Sequence, residues 1–86
     1  PPEIVDQLLI NCYINSLNLC INKSLQVIAF PSISTGVYGF PSERAAPIIV
    51  KAVAEFCENH PEIIEVIFCC FDTESKSLYE VALNEL

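Results

Sequence analysis

With 86 residues, 52 % of them hydrophobic, this chain forms at most one small domain, and part of its apolar surface meets something other than water. A formal charge of −7, from eleven acidic and four basic residues, opposes binding to a nucleic-acid backbone or an anionic membrane, so any anionic ligand is held largely by backbone dipoles. The five cysteines, Cys12, Cys20, Cys57, Cys69 and Cys70, are odd in number, lack C-x-x-C spacing and sit in apolar runs. They read as buried free thiols of a reducing, cytoplasmic or nuclear setting. No uninterrupted apolar run approaches the ~18 residues of a membrane span, and no basic start precedes an apolar signal core.

From Glu3 to about Ile21, Ile4, Leu8, Leu9, Cys12, Leu19 and Cys20, with Tyr13 and Leu17 alongside, recur at helical spacing. Glu3 and Asp6 stand in the first turns, where the helix dipole favours negative charge, and Asn22-Lys23-Ser24 ends the helix with a cation in place. Leu25 to Phe30 is nearly continuous in apolar character, the pattern of a strand buried on both faces of a parallel sheet. A second helix is predicted from about Ser42 to Asn59, with Ser42 as cap, Glu43 in the first turn, and Ala45, Ala46, Ile49, Val50, Val53, Ala54, Phe56 and Cys57 at a 3.6-residue period. Pro47 lies close enough to its start to be tolerated. His60-Pro61 breaks the pattern, and Ile63 to Phe71 reads as a second buried strand, parallel to the first because a helix intervenes. Asp72-Thr73-Glu74-Ser75 reads as loop and cap, and Ser77 to Leu86 as a last helix with Leu78, Val81, Ala82 and Leu86 on one face.

Between the first strand and the second helix, Pro31 to Pro41 contains both glycines of the chain, Gly36 and Gly39. Glycine lets the backbone take positive φ and approach a ligand closely. Successive N–H groups there can converge into an anion nest, reinforced by the positive end of the next helix, with a phosphate as the natural guest. The competing reading is a tight turn that needs two glycines.

The order α-β-α-β-α leaves two buried-type strands with open edges on both sides, carrying no proline and only Glu65 as an edge-protecting charge. A parallel pair of this kind needs neighbours. The chain is therefore expected to be one half of a larger α/β domain, with an intertwined dimer or a second polypeptide as alternatives.

The run Ile28-Ala29-Phe30-Pro31-Ser32-Ile33-Ser34-Thr35-Gly36-Val37-Tyr38-Gly39-Phe40-Pro41, followed by Ala45-Ala46, resembles the ADP-ribose-binding macrodomain family, in its MacroD-type hydrolase branch. Cys12-Tyr13 with Ser16-Leu17, and Val66-Ile67-Phe68 leading to Cys70-Phe71, are similar to the same family in order and spacing. The resemblance covers residues 1–86 but corresponds only to the C-terminal part of that domain. It implies a three-layer α/β/α fold in which these are two adjacent parallel strands of a larger mixed sheet. It implies a ligand loop of Ser34, Thr35, Gly36, Val37, Tyr38, Gly39 and Phe40, wrapping the diphosphate and bordering the distal ribose, with Phe71 and Asp72 at the adenosine end.

The family's N-terminal half, which carries the adenine-reading acid, an asparagine near the distal ribose and the first glycine loop with its catalytic aspartate, has no counterpart in this chain. No catalytic residue is therefore assigned here, and no cofactor or metal is expected. His60, before Pro61 at a helix C-terminus, reads as a dipole-satisfying residue and not as half of a Cys/His pair. The partners implied are ADP-ribose or an ADP-ribosylated protein, together with the N-terminal half of the domain or a second chain. The function implied for the complete domain is hydrolysis of ADP-ribosyl or O-acetyl-ADP-ribose bonds. The alternatives are a non-catalytic ADP-ribose reader and an interaction fragment without activity.

Overall fold

A computed structural model of the chain describes residues 2–31, 42–70 and 72–86. Its elements follow the expected α-β-α-β-α order: α1 Pro2–Asn22, β1 Val27–Pro31, α2 Ser42–Glu58, β2 Glu65–Cys69 and α3 Thr73–Asn84. The two strands pair in parallel, in a register that runs from Val27 opposite Glu65 to Pro31 opposite Cys69.

Both strands are shorter than the apolar runs that announced them. Leu25 is still tied to the end of α1, its N–H donating to the Cys20 carbonyl (2.9 Å), and the Gln26 carbonyl accepts from Ile64 (2.8 Å) before the ladder begins. Ser24 makes this exit in the left-handed region, φ 57°, the position of a helix C-terminus that glycine usually fills. The first strand also extends to Pro31, so it does carry a proline, at its last residue. The last helix begins four residues earlier than predicted, at Thr73 and not Ser77, because Asp72 is its N-cap and accepts from the Ser75 N–H. Pro47 lies within α2 with its ring exposed, and its missing N–H falls in the early turns.

Among the described residues, the strands face helices on one side only. Phe30 is buried, and Ile28, Val66 and Phe68 pack against the same cluster, which contains Leu9, Tyr13 and Leu17 of α1, Ala45, Ala46, Ile49, Val50 and Val53 of α2, and Tyr79 and Ala82 of α3. Side chains alternate across a strand, so Val27, Ala29, Glu65, Ile67 and Cys69 point the other way and are exposed. Burial on both faces, which the continuous apolar runs led one to expect, is thus not met among the described residues.

The first helix is apolar on more than one side. Leu9, Tyr13, Leu17 and Cys20 form its buried stripe, while Ile4, Leu8 and Leu19 are each more than half exposed. Over Glu3–Asn22 its length and mean hydropathy of 1.3 match those of a membrane-crossing helix, although Asn11, Asn15 and Asn18 interrupt the apolar run. A core helix of a soluble protein has the same character, and the buried stripe is how this one packs.

Candidate ligand end of the strand pair

Parallel pairing sets the carboxyl ends of β1 and β2 side by side, at Pro31 and Cys69. From these ends the chain proceeds to the N-termini of α2 and α3, so two helix dipoles present their positive ends to one end of the sheet. The first turns of α1 are held there too. Arg44, near the start of α2, donates from Nε to Asp6 Oδ1 (3.2 Å) and from Nη2 to Asp6 Oδ2 (2.6 Å). Asp6 pushes the Arg44 guanidinium further above its ordinary range, with Glu3 adding to it. In open α/β sheets, this carboxyl end is where ligands bind.

The segment Ser34, Thr35, Gly36, Val37, Tyr38, Gly39 and Phe40 connects β1 to α2 and lies outside the described residues, as does Phe71. Asp72 is described. Its backbone is extended (φ −141°, ψ 168°), and its carboxylate accepts from the Ser75 N–H at 2.7 Å. Those hydrogen bonds from Ser75 hold its pKa below the ordinary carboxylate range. An ionised, cap-bound carboxylate can still accept from a ligand, but it is poorly placed to take up a proton.

Beneath the carboxyl ends runs a row of aromatic rings that sequence reasoning did not assemble. Tyr13 of α1 meets Phe30 of β1 at 4.6 Å between centroids, Phe30 meets Phe68 of β2 at 6.3 Å, and Phe68 meets Tyr79 of α3 at 5.1 Å. Phe30 and Phe68 are register partners one residue short of each strand end, so the row lies just under that end. The signal was present as an aromatic at the same offset in each strand, but only the register makes it a row. Burial, and next the neighbouring Tyr13 phenol, push the Tyr79 phenol far above its ordinary value, so it stays a neutral hydroxyl.

Of the remaining reactive groups, Cys69 ends β2 at this carboxyl end and Cys70 follows it. All five cysteines are free, but Cys12 and Cys69 are exposed and only Cys20 is buried, which corrects the expectation of buried thiols throughout. Burial raises the Cys57 thiol pKa, away from the reactive thiolate. His60 donates from Nδ1 to the Phe56 carbonyl (2.8 Å) and stacks on the Phe56 ring at 3.9 Å, just past the C-terminus of α2. Among the described residues, no group of three His, Cys, Asp or Glu side chains comes together to hold a metal ion.

The family model for the Macro domain matches residues 3–49, more than half of the chain. A macro domain-containing protein of Ralstonia nicotianae is 50 % identical over 78 residues, which are 91 % of this chain and 44 % of that protein. An O-acetyl-ADP-ribose deacetylase of Escherichia coli is 49 % identical over 80 residues, 93 % of this chain and 45 % of the enzyme. The chain thus spans less than half the length of these relatives. Among solved structures, the Oceanobacillus iheyensis macrodomain with ADP superposes with a TM-score of 0.92 at 38 % identity, covering 99 % of this chain and 44 % of that one. A variant of the same macrodomain solved with ADPR gives a TM-score of 0.91 at 38 % identity, over 99 % of this chain and 45 % of that one. From its matched sequence, its parallel strand pair and this superposition, the chain belongs to the macrodomain family.

Proposed function

We propose that the protein carrying this chain binds ADP-ribose at the carboxyl end of the strand pair. In this reading the chain supplies the C-terminal part of one macrodomain, and the complete domain hydrolyses ADP-ribosyl or O-acetyl-ADP-ribose bonds. The observation that carries the reading is the 49 % identity to an O-acetyl-ADP-ribose deacetylase over 93 % of this chain. The positive ends of α2 and α3 at one end of the sheet support it, since a diphosphate is the anion such an end stabilises. Ser34, Thr35, Gly36, Val37, Tyr38, Gly39 and Phe40 would cradle the diphosphate and distal ribose, with Phe71 and the Asp72 carboxylate toward adenosine. The charge of −7 favours holding the ligand by backbone amides, and the five free thiols favour a cytoplasmic or nuclear setting.

A non-catalytic reader is the second reading, favoured by how two carboxylates at this end are already engaged. Asp6 pairs with Arg44, and Asp72 caps α3. A water-activating group then has to come from residues other than these. Calorimetric titration of the full-length protein with ADP-ribose, paired with an O-acetyl-ADP-ribose hydrolysis assay, tests both. Binding with turnover fits the hydrolase, binding without turnover fits the reader, and no binding contradicts both.

A further inference from the structure

We propose that the apolar trough between the C-terminal ends of α2 and α3 docks a basic amphipathic segment of another protein. The inference does not depend on the ADP-ribose reading. Glu58 closes α2, Glu85 caps α3 and Glu65 opens β2, so the rim of this trough stands at the opposite end of the strand pair from Pro31 and Cys69.

Two hollows, of about 230 and 600 Å³, adjoin through Ala54 and Leu86, which line both. Ile64, just before β2, and Leu83 of α3 line the smaller one. Ile64 and Leu86 are each 68 % exposed and Leu83 is 45 % exposed. Val50 and Val53 line the same hollow and are buried, so the trough has a packed apolar floor below open apolar walls. An exposed apolar patch with a polar rim is a mark of a protein interaction site.

Here the rim is acidic. Glu55 and Glu58 of α2, with Glu85, line the larger hollow, and Glu65 lines the smaller. Among the described residues, Lys51 is the one cation that lines either hollow, and the ion pairs are Asp6–Arg44 and Lys76–Glu80, which leaves these four carboxylates unpaired. A helix C-terminus carries the negative end of its dipole and favours a cation, yet neither α2 nor α3 has a basic residue in its last turn. Two helix ends and four carboxylates thus concentrate negative potential on one apolar trough. Among the described residues no three of these carboxylates come together to hold a metal ion. The complement is therefore a row of cations carried on a segment whose apolar side chains fill the hollows.

The probe is a fluorescein-labelled amphipathic helical peptide of leucine and lysine, with a twin that carries glutamate in place of lysine. Each is titrated with the full-length protein and read by anisotropy. Four forms are compared: the parent; Glu55→Gln with Glu58→Gln and Glu85→Gln; Glu3→Gln with Glu43→Gln and Glu74→Gln; and Ile64→Ser with Leu86→Ser. All the replaced side chains are exposed, and a melting temperature for each form checks that it stays folded. The two glutamate triples remove the same charge, one at the trough and one at the N-terminal turns of the helices. We expect the parent to bind the lysine peptide and not its twin. The trough triple should raise Kd about fivefold to tenfold, and the other triple less than about twofold. The serine pair should raise it about fivefold. No binding by the parent, equal binding of the twin, equal losses in the two triples, or parental affinity in the serine pair each overturns the proposal. A parent that self-associates in sedimentation and binds no peptide overturns it too, and gives the trough to a second copy.

Discussion

The two faces of the strand pair differ sharply for such similar residues. On one, Ile28, Phe30, Val66 and Phe68 are packed under three helices; on the other, Val27, Ala29, Ile67 and Cys69 are exposed. The open face is as apolar as the covered one, apart from Glu65. A sheet face so composed is suited to a second layer, and the macrodomain relatives have more than twice the chain with which to supply it. The covered face accounts for the fold described here, and the open face for what the chain asks of its surroundings.

The sharpest way to break this comparison is on the covered face. Phe30→Ala removes one of the two inner rings of the row from Tyr13 to Tyr79 and should destabilise the full-length protein by about 3–5 kcal/mol in denaturant unfolding. A loss under about 1 kcal/mol would mean that the row is not a core. On the open face, Ile67→Ala should cost about 2 kcal/mol in the full-length protein if a second layer covers it. A surface-like change, within about 0.5 kcal/mol, would mean that the face stays open. The isolated 86-residue chain should accordingly self-associate in sedimentation equilibrium, and a monomeric, concentration-independent, cooperative melt would contradict that.

Away from both faces, the expected effects are smaller. At Ser24, φ 57°, Ser24→Gly relieves a left-handed non-glycine residue and should stabilise by roughly 0.5–1 kcal/mol. The Asp72 cap has a pH signature. Its folded pKa is lowered below 3.8, so its contribution is fully present above that value and fades as pH falls through the lowered one. Asp72→Asn should remove that acid-side loss from the pH profile of the melting temperature while changing it little at neutral pH, because asparagine caps nearly as well.

Much of this architecture was legible in the sequence, because helical periods and apolar runs are local signals. The first two helices fall within a residue of their predicted ends, and the parallel pairing follows from the helix between the strands. Strand length was not legible: Leu25 reads as strand but its N–H closes α1, a choice settled by backbone hydrogen bonding that no side chain announces. The exposure of one sheet face was not legible either, since a continuous apolar run looks the same whether its second cover is present or not. At the candidate ligand end, the two glycines Gly36 and Gly39 stood out by composition, whereas the Asp6–Arg44 fork and the aromatic row join residues far apart in sequence and needed the register and helix packing to become visible.

The central claim is that backbone amides around Gly36 hold the diphosphate of ADP-ribose. Titrating the full-length protein and its Gly36→Val variant with ADP-ribose tests it directly, because a β-branched side chain opposes positive φ and fills the space where phosphate oxygens approach. Binding by the parent with a loss on the order of tens-fold in the variant, about 2 kcal/mol, is the predicted result. Equal affinities in parent and variant would contradict it.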